Sequence, residues 1–115
     1  MSVHRWRDLP KEQVNPRFVR QMIHTETMTI ARMEVKKGAT VPEHHHHNEQ
    51  VTTIESGRMR FVLGGTEHFV GAGESIHIPP SVPHSAEVLE DTVAVDVFSP
   101  PREDWIRGDD AYLRK

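Results

Sequence analysis

Three histidines and a glutamine stand at spacings that can build one metal site from two separated segments. The first segment runs Gly38-Ala39-Thr40-Val41-Pro42-Glu43-His44-His45-His46-His47-Asn48-Glu49-Gln50 and continues to Gly57. The second runs Gly73-Glu74-Ser75-Ile76-His77-Ile78-Pro79-Pro80-Ser81-Val82-Pro83-His84. In an extended chain, side chains alternate between two faces. His44, His46 and Gln50 share parity and can point to one side, while His45, His47 and Glu49 point to the other. Three neutral imidazoles and an amide oxygen suit one divalent first-row metal (Ni, Zn, Fe, Mn or Co), with positions left open for a ligand. Four consecutive histidines can also be a surface tract, an expression tag or a patch that collects metal during purification. The run is internal and short, and Gln50, Gly57 and His84 follow it, which argues for a built site. Glu49 would replace Gln50 as ligand if a bulge shifted the register.

A second set of candidates lies in Ala94-Val95-Asp96-Val97-Phe98-Ser99-Pro100-Pro101-Arg102. Val93, Val95 and Val97 form one face of a strand and belong to a core or to a subunit interface. Asp96 and Phe98 share the other face. A lone acid midway along an apolar strand is costly to bury without a cation, a donor or a solvated pocket. If Asp96 faces the same cavity as His84, then the metal, Asp96 and Arg102 form a polar cluster on an aromatic floor. Arg102 follows two prolines that can fold it back over that cavity. His4, His24, His68 and His77 read as structural or surface residues, and nothing in the sequence tests Glu43.

Such residues need strands to hold them. From Met22 onward, short apolar and branched runs are punctuated by Gly, Pro, Asn and Asp, which favours an all-β sandwich or barrel. Strands are expected over 27–35, 51–56, 58–63, 67–70 and 75–78. Gly64-Gly65 marks a hairpin, and Pro79-Pro80 stops the strand before it. A final hairpin is expected from 85–89 to 92–98, turning at Glu90-Asp91. Residues 1 to about 20 form an arm with an early strand, about 21–100 the barrel, and 101–115 a tail. In the tail, Trp105, Tyr112 and Leu113 would pack on the barrel or on a neighbouring subunit. Met22, Met28, Met33 and Met59 would fill gaps in the core.

At 115 residues the chain is expected to be one domain. A formal net charge of -3 and the lack of a basic block argue against nucleic-acid binding. No apolar stretch is long enough to span a membrane. The N-terminus lacks the apolar core of a signal peptide, and zero cysteines exclude disulfides and thiol catalysis. The expected location is cytoplasmic. A homodimer is expected because small barrels expose faces and edges that need covering, with Val93, Val95 and Val97 as the candidate interface.

The two metal-bearing segments resemble the two motifs of the cupin superfamily. Gly38, His44, His46 and Gly57 fit the first motif, with Gln50 where Glu is usual. Gly73, Pro79 and His84 fit the second, with Ser81 in place of a glycine. The resemblance implies an all-β, double-stranded β-helix barrel, jelly-roll-like, with the metal in its mouth, and leaves the reaction open. Gln50 in place of Glu leaves the full dipositive charge on the metal, which favours Lewis-acid and ligand-orienting roles without excluding redox use.

With Asp96, Phe98 and Arg102 added, the pattern is similar to the pectin-degradation cupins that linearise unsaturated uronates. That resemblance implies His44, His46, Gln50 and His84 as metal ligands, Asp96 and Arg102 as catalytic groups, and Phe98 and Arg102 against the substrate. The substrate would be an anionic sugar acid, a 4,5-unsaturated uronate from pectin or alginate breakdown, opened to a keto acid by an isomerase- or lyase-like enzyme. An iron-dependent dioxygenase, a cyclase or isomerase of polyketide-like substrates, and a non-enzymatic ligand-binding barrel stay open beside it.

Overall fold

The computed structural model describes residues 2–114; Met1 and Lys115, the ends of the expected arm and tail, lie outside the described residues. Eight strands follow one another: β1 (Glu12–Asn15), β2 (Phe18–His24), β3 (Thr29–Val35), β4 (Thr40–His44), β5 (Glu49–Leu63), β6 (Thr66–Gly71), β7 (Ser75–Ile78) and β8 (His84–Ser99). A short helix, α1 (Glu103–Arg107), and a single 3-10 turn at Ala111–Leu113 complete the tail. All strand pairs are antiparallel.

Two long strands organise the barrel. β5 and β8 pair along almost their whole length, from Glu49 opposite Ser99 to Leu63 opposite His84. The pairing carries bulges around Ser56 and Arg58, which bend both strands. One half of the bent pair is flanked by β7 on β5 and by β3, β2 and β1 on β8. The other half is flanked by β6 on β5 and by β4 on β8. The two halves face each other over a core that includes Ala31, Met33, Ile54, Met59, Phe61, Val88, Ala94 and Phe98.

The expected hairpin at Glu90-Asp91 is therefore a corner within one strand. Both features need a polar, poorly pairing dipeptide, and composition alone does not separate them. What makes the corner is Gly57, whose φ of 92° favours glycine. A Cβ built there would collide with Thr92 Oγ1 and with the Asp91 carbonyl, so the β8 backbone can approach only because residue 57 has no side chain. Thr92 ties the corner by accepting from the Arg58 amide at 3.1 Å and donating to the Glu90 carbonyl at 2.8 Å. Likewise, the separate strands expected over 51–56 and 58–63 are one bent strand.

Other elements follow the sequence more directly. Gly64 and Gly65 both have positive φ and join Leu63 to Thr66 in a two-residue hairpin. β7 spans the expected 75–78. The sheet begins at Glu12, within the stretch assigned to an arm. Met33 and Met59 are in the core and Met22 packs against it, whereas Met28 is only half-buried. Val93, Val95 and Val97 point outward, opposite in sense to the buried Ala94, Asp96 and Phe98, so they are not core. Val97 lies across from Val51, and both are exposed.

Replacing Gly57 with alanine combines an unfavourable backbone region with overpacking against Asp91 and Thr92. The expected loss is about 2–5 kcal/mol of folding free energy, read as a lowered urea midpoint with an unchanged slope. An unchanged midpoint would show that the corner yields freely.

Candidate metal centre

His44 ends β4, and the chain then leaves regular structure over 45–48 before β5 begins at Glu49. The histidine tract is thus a strand end plus a turn, not one continuous strand. The grouping by parity still holds in its outcome. His44 and His46 are half-buried and Gln50 is buried, while His45, His47 and Glu49 are exposed. Glu49 turns outward to His77 Nε2 at 2.7 Å, so the bulge that would have made it a ligand is absent at this position. His84 enters from the start of β8, opposite His44 in the β4–β8 pair. Ser81 precedes it with a φ of 63°, which explains why the cupin motif uses glycine there.

One candidate ligand atom from each of His44, His46 and His84 lies within 4.8 Å of the others. The ring centroids are 4.2 Å apart for His44–His84, 4.9 Å for His46–His84 and 5.6 Å for His44–His46. Each ring is oriented by its own backbone. His44 Nδ1 meets the Pro42 carbonyl at 2.8 Å, His46 Nδ1 the Asn48 carbonyl at 3.0 Å, and His84 Nδ1 the Val82 carbonyl at 2.8 Å. A carbonyl only accepts, so each neutral ring keeps its proton on Nδ1 and presents the Nε2 lone pair. This is the outer hydrogen bond that metal-binding histidines ordinarily make.

Two observations fit a cation among these atoms. His84 Nε2 is buried without a hydrogen-bond partner, an expensive state for an acceptor. Gln50 Oε1 sits 3.1 Å from His46 Nε2, so with the tautomer above two acceptors face each other and repel. A bound cation would satisfy all of them at once. Metals such as Ni or Zn match three imidazoles and one amide oxygen. The His44, His46 and His84 triad could bind a metal ion, and Gln50 is placed to join it.

Burial keeps these rings neutral. It is the largest cause of the lowered pKa at His44 and His46, each brought down to about 4. At His46 the Arg102 guanidinium acts next, and at His44 the neighbouring His84 and Arg102 act in the same direction against the Pro42 hydrogen bond. His84 is also lowered, chiefly by burial.

Asp96 and Phe98 project from β8 into the pocket beside His44, Gln50, Thr52, His84 and Arg102. Asp96 is 4% exposed, and burial drives its pKa up to about 7 against the opposing effects of Thr52 and Arg102. Thr52 Oγ1 donates to Asp96 Oδ1 at 2.6 Å. Phe98 meets His46 edge-on at 5.8 Å and Trp105 at 5.0 Å. The Arg102 guanidinium lies 4.7 Å from the Phe98 ring centroid and 4.0 Å from that of Trp105. Most of its fork is occupied within the protein. Nε and Nη2 grip Asp104 at 3.0 and 2.8 Å, and Nη2 also donates to the Tyr112 hydroxyl at 2.9 Å. Among the described residues only Nη1 is left without such a bond.

The tail residues Trp105 and Tyr112 pack on the barrel as expected, whereas Asn48, Asp110 and Arg20, which hold the tail there, were not singled out from the sequence. The tail closes over the barrel, placing the Tyr112 ring 4.9 Å from His44. It is anchored by the Asn48 amide on the Pro100 and Pro101 carbonyls at 2.6 and 3.1 Å. It is anchored again by Asp110, which is fully buried and bridges Arg20 at 2.7 Å and Arg114 at 2.8 Å. Trp105 sits between Arg102 and Arg20. Thr52 was legible as an inward residue two after Gln50, and only the strand register reveals its partner.

Metal binding requires neutral imidazoles. Since the folded values are depressed, protons compete only at low pH. Affinity is expected to hold steady from pH 8 to about 6 and to collapse as pH falls through about 4, as measured by chelator competition with Ni(II) across a pH series. A decline already complete at the ordinary histidine value would show that the rings are solvated.

The same architecture occurs in solved structures. KdgF from Halomonas sp. superposes with a TM-score of 0.85 at 25% identity, covering 91% of this chain and 98% of that one. An RmlC-like cupin from Shewanella frigidimarina gives 0.85 at 26% identity, covering 91% and 96%. Oxalate decarboxylase from Bacillus subtilis gives 0.72 at 20% identity, covering 83% of this chain and 28% of that one, a likeness of fold alone. No curated protein matches the sequence. The cupin domain model matches residues 31–99, from the middle of β3 to the end of β8, and with both motifs in place on this barrel the chain belongs to the cupin family.

Proposed function

We propose that this cupin is a metal-dependent enzyme that opens the ring of a 4,5-unsaturated uronate to a keto acid. The observation that carries this reading is Asp96: a buried carboxyl whose burial pushes its pKa up to about 7, facing the same pocket as His44, His84, Phe98 and Arg102. A carboxyl poised near neutrality can both take and give a proton. The structural likeness to KdgF over nearly the whole of both chains supports the same reading, as does the resemblance to uronate-linearising cupins.

His44, His46, His84 and Gln50 would hold the metal. When bound, it supplies Lewis acidity to the substrate hydroxyls and fixes their orientation. The remaining work falls to the protein. Asp96 accepts the proton of the anomeric hydroxyl. As the C1 carbonyl forms, the bond from C1 to the ring oxygen breaks, and its electron pair passes to that oxygen. The oxygen becomes the C5 ketone as the C4=C5 double bond takes up a proton at C4, returned by Asp96. The step is an isomerisation, with no water consumed and no net oxidation. Arg102 offers Nη1 to the substrate carboxylate while Asp104 and Tyr112 hold its plane. Phe98 gives the sugar ring an apolar floor.

Asp96→Asn preserves shape and removes the proton carrier. Turnover of lyase-generated unsaturated uronates, followed by loss of their conjugated ultraviolet absorbance, is expected to fall about 100- to 10,000-fold with metal still bound. Full activity in this variant would overturn the mechanism. Absence of turnover by the metal-loaded wild type would overturn the substrate, and oxygen uptake with iron would then test the dioxygenase alternative.

A further inference from the structure

Thr52 lies two residues after Gln50 on β5, directly across from Asp96 on β8. It is 1% exposed. Its hydroxyl carries one proton and can accept others. Gln50 Nε2 is 2.9 Å from Thr52 Oγ1, which is itself 2.6 Å from Asp96 Oδ1. An amide nitrogen cannot accept and an ionised carboxylate cannot donate. While Asp96 is ionised, the direction of the chain is fixed: the Gln50 amide donates to Thr52, and Thr52 donates to Asp96. The far end of the same amide, Oε1, is then forced toward His46 Nε2. A flipped amide would turn its NH2 group to the imidazoles, where it could not ligate a metal.

We propose that Thr52 is the positioning residue of this centre, its single hydroxyl aiming the Gln50 oxygen at the imidazoles while holding the Asp96 carboxyl in the pocket. The inference rests on Gln50 acting as fourth ligand. It links the metal-binding half of the site to the proton-carrying half through one side chain. Among the described residues, no other hydrogen bond from the Gln50 NH2 group fixes the orientation of that amide. Threonine suits the place because its β-branch limits rotation at χ1, so the hydroxyl is held between its two partners.

The test is Ni(II) affinity, measured by competition with a chromophoric chelator, for the wild type, Thr52→Val, Thr52→Ser, Gln50→Ala and the Gln50→Ala/Thr52→Val double variant. Valine keeps the branched shape and removes the hydroxyl. Affinity is expected to fall roughly 10- to 100-fold in Thr52→Val and to return to within about threefold of wild type in Thr52→Ser, which restores the hydrogen bonds. The double variant should bind no more weakly than Gln50→Ala alone, because Thr52 acts through Gln50. Should the valine variant not fold, Thr52→Cys, a weak donor and acceptor, replaces it with an intermediate affinity expected. Unchanged affinity in the Thr52 variants beside a weakened Gln50→Ala overturns the positioning role, as do additive losses, which would mark Thr52 as merely structural. Unchanged affinity in Gln50→Ala removes the fourth ligand itself, and the inference falls with it.

Discussion

The register of β5 on β8 is the constraint on which the rest depends. It sets Gln50 opposite Phe98 and Thr52 opposite Asp96 on adjacent inward positions, so the amide, the hydroxyl and the buried carboxyl meet without any loop to hold them. Side chains alternate with period two, and a slip of one residue would send each of them to solvent. The bend in the same pair is equally necessary. His84 and Phe98 lie at opposite ends of β8, and a straight strand would separate them by about 46 Å. Their rings instead stand 4.9 and 5.8 Å from that of His46. A corner that needs glycine at 57 is thus what turns a long ribbon into a pocket.

That dependence explains what the sequence revealed. Asp96 and Phe98 were legible because inward placement follows from alternation along a strand, and alternation is local; His44, His46 and Gln50 were grouped by the same parity although the chain leaves the strand over 45–48. The hairpin at Gly64-Gly65 was legible because two adjacent positive φ angles leave few other residues possible. The corner at Glu90-Asp91 was misread as a turn because its cause sits more than thirty residues away, at Gly57. The partnership of Thr52 with Asp96 was invisible for the same reason: it belongs to a pairing of distant segments. The tail was legible only as a packing element. Its anchors come from two distant parts of the chain, Asn15 and Arg20 in the β1–β2 hairpin and Asn48 before β5.

The tail also gives Arg102 a character different from a free guanidinium. Asp104 and Tyr112 occupy most of its fork, and the rings of Phe98 and Trp105 cover its face. Desolvating a guanidinium without such partners would be prohibitive. The ion pair with Asp104 removes most of its net charge, while its plane and one nitrogen remain defined. An arginine held this way recognises a planar anion by geometry more than by long-range attraction. Lysine, with a flexible point charge, could not reproduce either the bidentate grip or the stacking.

Electrostatic balance then decides how Asp96 can behave. Burial alone makes its ionised form unfavourable, and the donated Thr52 hydroxyl and the nearby Arg102 only partly offset this. Three neutral imidazoles and an amide add no net charge. A dipositive ion among them would make the pocket strongly cationic, and Asp96 would lose its proton more readily than it does in the protein alone. Without such an ion Asp96 can be either acid or base near neutral pH. With one it is biased toward the base, the form that must act first if the anomeric hydroxyl is to lose its proton. The neutral Gln50, where cupins usually carry Glu, sharpens this effect. A second carboxylate at position 50, linked to Asp96 through Thr52, would compete with it for the same hydroxyl proton and for the same positive charge.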